Sequence, residues 1–357
     1  MKKFCICTIW MSAVFAVSPA QNKIHTFHVK KAGQLQAEMT REEAHNITHM
    51  KISGRLNAHD FQLMRDSMNQ LEFLDLREAT IAAMSGKGGT AAESFTFYTT
   101  RTLPEHAFCK KISTEKSPNE PAPQYIGKQS LREIWLPDNL FNIDKYAFYN
   151  CRNLRLVVCT QKKAPNLFPN ALNDSLTTLF VPLGSHDTYK NKDRWKNFNI
   201  LEGTPIRSNI RMEKTGTLGD LILQTGNQPS EVNYLTISGN LDETDFKLIR
   251  DFMPKLVAID LQNAVFSHLP DYTFSQKRYL TEVLLPPTLH TIGSRAFSGC
   301  VHLGPTLTLP AEVSSIGDGA FLDCNILKEV IITGKKLNVI GKNLFRNDQN
   351  RLLYMPQ

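Results

Sequence analysis

Between Leu280 and Leu303 the apolar positions follow a fixed spacing. In "LTEVLLP" Leu280, Val283 and Leu285 sit where a short strand turns its side chains inward. Leu289 and Ile292 continue that interior, Ala296 and Phe297 fill it from a return segment, and Cys300 and Leu303 close the turn. The pattern then repeats. "IGSRAF" at Ile292–Phe297 returns as "IGDGAF" at Ile316–Phe321 and as "IGKNLF" at Ile340–Phe345, with a step of 24 residues each time. "LPDYTF" ends at Phe274, 23 residues before Phe297. A fixed period of this size predicts a solenoid, in which one coil cannot bury its own apolar face and stacked neighbours do it jointly.

A longer repeat contains the short one. "ISGRLNAHDFQLMRDSMNQLEFLDL" at Ile52–Leu76 aligns without gaps on "ISGNLDETDFKLIRDFMPKLVAIDL" at Ile237–Leu261, with 13 of 25 positions identical at a shift of 185. The chain therefore reads as a tandem duplication. Each half opens with a strand–helix–strand piece and continues into short repeats. The expected division is a leader over 1–20, a first unit over 21–203 and a second over 204–357, with Gly203 and Pro205 breaking the pattern between the units. The first half carries two insertions, expected as surface loops near 84–102 and 109–130. "GKGG" at Gly86–Gly89 lacks the G-x-x-x-x-G-K-[ST] spacing that would aim backbone N–H groups at a phosphate.

The repeats resemble a known family. "LREIWLPDNLFNIDKYAFYNCRNL", "LTEVLLPPTLHTIGSRAFSGCVHL" and "LTLPAEVSSIGDGAFLDCNIL" look like the bacterial leucine-rich repeat of the BspA-like (Treponema) type. "LPEHAF", "LPDYTF" and "NVIGKNLF" are shorter copies, and Leu176–Phe198 resembles the ending common in that family. The piece "AGQL…ISGRLNAHDFQLMRD…LDL" resembles its opening module. The resemblance implies an α/β repeat solenoid: two tandem leucine-rich-repeat units, each a curved stack with a parallel β-sheet on its concave face. It also implies export and a recognition role without enzyme activity. The second half stops at "LYMPQ", the strand equivalent to "LFVP" of the first, so its last repeat is expected to stand without a cap.

Composition changes this picture little. Lys2 and Lys3, the apolar run "FCICTIWMSAVFAV" and the small residues Ser18 and Ala20 read as a secretory signal peptide, placing the protein at the cell surface, in the periplasm or outside the cell. No later segment has the length of a membrane span, so no transmembrane segment is expected in the mature chain. The net charge is +7; without Lys2 and Lys3 it is +5, from 39 basic against 34 acidic residues, spread without a basic stripe, which argues against nucleic acid.

Chemistry is sparse. The sequence has no H-E-x-x-H, G-x-S-x-G or G-x-G-x-x-G motif, and its ten histidines are scattered, so no catalytic, cofactor or metal site is expected. Five cysteines follow the leader. Cys151, Cys300 and Cys324 share one repeat position and read as a buried ladder, with a disulfide or a reactive thiol as alternatives. Cys159 reads as core and Cys109 as closer to the surface. His302, beside Cys300, has no counterpart in other repeats and is expected on an exposed turn.

The functional clue lies in the residues between inward strand positions, which alternate onto the outer face of the sheet. They are Phe73, Trp135, Val158 and Phe180 in the first half and Leu284, Thr308 and Ile331 in the second. Such an apolar row either binds a protein or glycan ligand or is covered by loops or by the other half. The expected function is non-enzymatic recognition or adhesion by a monomer; the alternative is an envelope assembly protein acting by self-association. "DSM" at Asp66–Met68 and "DSL" at Asp174–Leu176 look like the D-[ST]-apolar acceptor used for O-glycosylation by some exporting bacteria, although Ser67 falls in a helix expected to be packed.

Overall fold

The computed structural model describes residues 23–91, 95–112, 124–173, 177–345 and 352–354. The expected leader and Asp174–Leu176 lie outside these residues. The helices are α1 (Arg41–Asn46), α2 (Ala58–Asp66), α3 (His186–Lys190), α4 (Leu218–Gln224) and α5 (Glu243–Phe252). The described short repeats themselves are built from strands and turns, and the helices belong to the opening modules and to the segment 182–202.

The two opening modules are held by the same device. Asn57 accepts the His59 N–H at the start of α2, and Asp60 reaches back to the Asn57 N–H. Asp242 and Asp245 do the same for α5. The Asp60 carboxylate also accepts the N–H groups of Gly33 at 2.7 Å and Leu35 at 2.9 Å. Asp245 takes those of Gly216 and Leu218. One buried carboxylate thus ties the loop before each module's central strand to the helix after it. Gly54 and Gly239 are required where the chain passes closely. Both have φ +91°, and a Cβ would stand 2.3 Å from the Val29 carbonyl oxygen or 2.1 Å from that of Met212.

The long ladder of the first unit is a parallel sheet that runs through His25–Val29, His49–Leu56, Phe73–Asp75, Glu133–Trp135, Leu156–Val158, Thr178–Val181 and Asn199–Glu202. In the second unit, Arg207–Met212, Tyr234–Asn240, Ala258–Val265 and Glu282–Leu284 form one parallel sheet, and Thr306–Leu309, Glu329–Ile332 and Leu352–Tyr354 form the next. Each unit has a second, shorter parallel ladder, through Leu103, Ile143 and Leu167 in one and Leu269, Ile292, Ile316 and Ile340 in the other. The core lies between the two ladders of each unit.

The spacing that repeats in sequence is a stack in space. Phe274, Phe297, Phe321 and Phe345 lie ring over ring at 5.3, 5.6 and 5.6 Å. Two residues before each of them the backbone turns left-handed, at Tyr272, Arg295, Gly319 and Asn343, and His106 and Tyr146 do the same before Phe108 and Phe148, all with φ from 52° to 62°. This tight turn carries the chain from the short ladder to the apolar pair that follows.

Both insertions contain ordered antiparallel pairs where surface loops were expected. Met84–Gly86 pairs with Thr96–Tyr98, and Cys109–Lys111 pairs with Tyr125–Gly127. The Tyr98 hydroxyl fastens the first by accepting the Ala91 N–H and donating to the Gly88 carbonyl. The segment 182–202 closes the first unit. Tyr189, Trp195 and Phe198 are buried there, and the Trp195 indole N–H donates to the Pro165 carbonyl at 2.8 Å.

Candidate recognition surface

Strand register assembles the outward-facing row of the first unit as Lys51, Asp75, Trp135, Val158, Phe180 and Leu201. The row is not open. Leu156, Val158, Phe180 and Leu201 form a single buried cluster with Tyr234, Val257 and Ala258 of the second unit, and Trp135 and Tyr279 pack against it. The second unit therefore covers this stretch of the first unit's sheet. Of the two outcomes open for this row, cover by the other half holds for Val158 and Phe180, each 1% exposed. Phe73 is buried as well, 8% exposed, and stacks on His49 at 5.6 Å. The apolar row is satisfied within the chain, as a packed core satisfies any other apolar face.

Polar contacts frame the cluster. Arg207 Nη2 donates to the Glu133 carboxylate at 2.6 Å, and the Arg207 guanidinium lies 4.9 Å above the Tyr234 ring. The other Glu133 oxygen accepts the Trp135 indole N–H. Burial pushes the Glu133 carboxyl up, and Arg207 opposes that. The Arg77 guanidinium lies 4.1 Å from the centre of the Trp135 ring while it pairs with Asp75. Trp135 is half-buried and fully engaged by its neighbours.

The second unit's sheet face meets the first unit at Tyr234 and Ala258, and the next row along the same strands is only partly buried. Register places Asn209, Thr236, Asp260 and Leu284 in one outward row. Thr308 and Ile331 pair in the adjoining sheet. Thr308 and Asn209 are exposed, and Thr236, Asp260, Leu284 and Ile331 are half-buried. Asp260 accepts the Gln262 N–H, and burial raises its carboxyl above the ordinary range. Two branched aliphatic side chains, two threonines, an amide and a carboxylate thus share one rigid face. The sequence marked Leu284, Thr308 and Ile331 but passed over Asn209, Thr236 and Asp260, whose signal was the same alternation applied to polar residues.

The cysteines are architectural. All five described cysteines are buried and none is in a disulfide. The Cys151, Cys300 and Cys324 thiols donate to the carbonyls of Phe108, Phe274 and Phe297 in the preceding coil, at 3.3, 2.9 and 3.1 Å. Burial pushes the thiols of Cys109, Cys151 and Cys159 up to about 12. Cys109, expected nearer the surface, is fully buried because the second insertion folds Tyr125–Gly127 alongside it. His302 is half-buried, and its Nδ1 lies 2.6 Å from the Arg278 carbonyl oxygen. Ser67 is the exposed C-terminal cap of α2, not a packed helix residue. Among the described residues no group of three or more His, Cys, Asp or Glu is placed to hold a metal.

One cluster escaped the sequence reading. His106, Tyr125 and Tyr146 stack at 5.0 to 5.7 Å, and Tyr149 meets Tyr125 and Tyr146 edge-on. His106 and Tyr146 occupy the left-handed turn position of successive coils, and Tyr125 comes from the second insertion, so the stack fastens the insertion to the repeats.

Stacked short repeats, paired parallel ladders and duplicated opening modules define a tandem leucine-rich-repeat protein. The chain belongs to the BspA type leucine rich repeat family: six copies of that repeat region match, over residues 101–204 and 253–356. No curated protein matches it. Among solved structures it is similar to a leucine-rich repeat protein from Bacteroides ovatus, at 15% identity over 86% of this chain and 78% of that one, with a TM-score of 0.29. It is also similar to the T. pallidum leucine rich repeat protein, at 16% identity over 62% of this chain and 78% of that one, with a TM-score of 0.23. A leucine rich cell surface protein from Faecalibacterium prausnitzii shares 16% identity over 63% of this chain and 60% of that one, with a TM-score of 0.16. The family places the chain among repeat proteins of protein-interaction or surface type. No described helix is long and apolar enough to cross a membrane.

Proposed function

We propose that this is an exported, non-enzymatic recognition protein that holds a protein or glycan ligand on the part of its second unit's sheet face beyond the Tyr234–Ala258 contact. The observation that carries this reading is the outward row Thr236–Asp260–Leu284 with Thr308 and Ile331 beside it, on strands locked in register. Side chains on paired strands lose little freedom when a ligand arrives, so a few contacts suffice for affinity. Leu284 and Ile331 supply apolar contact; the threonine hydroxyls, the Asn209 amide and the Asp260 carboxylate supply donors and acceptors suited to peptide or sugar hydroxyl groups. The leader-like segment at 1–20 supports export. The first unit then serves as a brace, its own sheet face occupied by the second.

The test is binding of the mature chain to a panel of purified matrix proteins and polysaccharides, with Leu284→Ser/Ile331→Ser as the comparison. Loss of binding at unchanged melting temperature is expected. Binding that survives in the double variant assigns the activity to another surface.

A further inference from the structure

The last described coil of the second unit differs from every coil before it. Ile340 occupies the short-ladder position of Ile292 and Ile316, which are 2% and 0% exposed, yet Ile340 is 50% exposed and its neighbour Val339 56%. The first unit reaches the same point in its stack at Asn166–Leu167, and there Leu167 is only 8% exposed. The two coils align without a gap. "TQKKAPNLFPNAL" at Thr160–Leu172 aligns on "TGKKLNVIGKNLF" at Thr333–Phe345, which sets Leu167 against Ile340 and Pro165 against Asn338.

The first of these coils is covered by the chain itself. The segment from Leu183 to Phe198 lies over it, with Tyr189, Trp195 and Phe198 buried in the same core as Ala164 and Leu167. Three of its side chains donate to backbone carbonyls of that coil: the Tyr189 hydroxyl to Gln161, the Lys192 ammonium to Ala164 and the Trp195 indole to Pro165, at 2.9, 2.6 and 2.8 Å. The equivalent carbonyls of the second unit belong to Gly334, Leu337 and Asn338. An apolar edge flanked by carbonyls with that spacing is a shape and a donor–acceptor pattern that the chain itself shows how to fill.

We infer that the Val339–Ile340 edge of the second unit is a docking face for a partner polypeptide segment of the same chemistry as 183–198: a short helix carrying a tyrosine, followed by turns that present a lysine and a tryptophan. The aromatic rings cover Val339 and Ile340, and the hydroxyl, ammonium and indole donors meet the carbonyls of Gly334, Leu337 and Asn338. The edge belongs to the short ladder and not to the sheets that carry Leu284 and Ile331.

The probe is a fluorescently labelled synthetic peptide of residues 183–202, titrated into the full chain and followed by anisotropy. Saturable binding is expected, weakened at least tenfold by Ile340→Glu in the protein and, separately, by replacing the tryptophan of the peptide with alanine. Ile340→Glu is half-exposed and is expected to leave the melting temperature unchanged. Absence of saturable binding, or binding indifferent to Ile340→Glu, overturns the inference. A concentration-dependent dimer by light scattering that Ile340→Glu converts to monomer also overturns it, because the occupant is then a second copy.

Discussion

The Glu133 carboxylate accepts a hydrogen bond from Arg207 at 2.6 Å across 74 positions of sequence, joining the first unit's sheet to the first strand of the second. Glu133 is fixed in turn by the Trp135 indole, and Arg207 by the Tyr234 ring beneath it. The pair therefore borders the buried cluster of Val158, Phe180 and Tyr234 and helps set how the two units meet. Replacing Arg207 with alanine leaves a largely buried carboxylate without its partner. The expected loss is about 2 kcal/mol in chemical unfolding, with the Trp135 emission shifting as its surroundings loosen.

Phe180 tests the same junction from its apolar side. The ring is 1% exposed although it projects from the outer face of the sheet. Phe180→Ala is expected to cost about 3–5 kcal/mol, as for a large side chain removed from a core. A loss near zero in a urea titration would mean that the second unit does not stay on this face.

Asp60 and Asp245 each gather three backbone N–H groups at the start of a helix. Asp60→Ala and Asp245→Ala orphan those donors in a buried setting, and each is expected to cost about 2–4 kcal/mol. The two effects should be alike, since the modules are copies; thermal melts of both variants make the comparison.

Two buried lysines set an unusual dependence on pH. Lys128 donates to the Met68 carbonyl and Lys277 to that of Arg250 at the end of the matching helix, and burial pulls both ammonium groups down to about 8. Between pH 8 and about 10.4 the unfolded chain binds more protons at these sites than the folded one, so their contribution to stability rises with pH in that window. The buried thiols act in the opposite sense. Their folded values near 12 stand above the unfolded value of about 8.5, so the folded chain holds the extra protons and stability falls above that point. Three thiols outweigh two lysines once both sets titrate, so stability should stay nearly level up to about pH 8.5 and decline above it. The decline should be steeper in Lys128→Met/Lys277→Met, as read from unfolding midpoints across the range.

Much of this architecture was legible in the sequence. The recurrence of Ile292, Ile316 and Ile340 with Phe297, Phe321 and Phe345 dictated the stack, because a fixed period forces equivalent residues into equivalent places. The ladder of Cys151, Cys300 and Cys324 followed from the same logic. Alternation correctly assigned Val158 and Phe180 to the outer face of their sheet. It could not show that Tyr234, Val257 and Ala258 lie against them, because that contact depends on how two units pack and not on any local period. Cys109 was misplaced for a related reason: the Tyr125–Gly127 strand that buries it belongs to an insertion with no repeat to read.

The candidate face was legible only in part. Leu284 and Ile331 stand out because an apolar residue outside the core asks for an explanation, whereas Asp260 and Thr236 look like ordinary solvent-facing residues until the register sets them in line with Leu284. The most direct measurement is the affinity of the mature chain for ligands drawn from matrix proteins and polysaccharides, compared between the unaltered protein and Leu284→Ser/Ile331→Ser. The recognition-face reading predicts binding that falls at least tenfold in the double variant while the melting temperature holds. Equal affinity in the two proteins would contradict it.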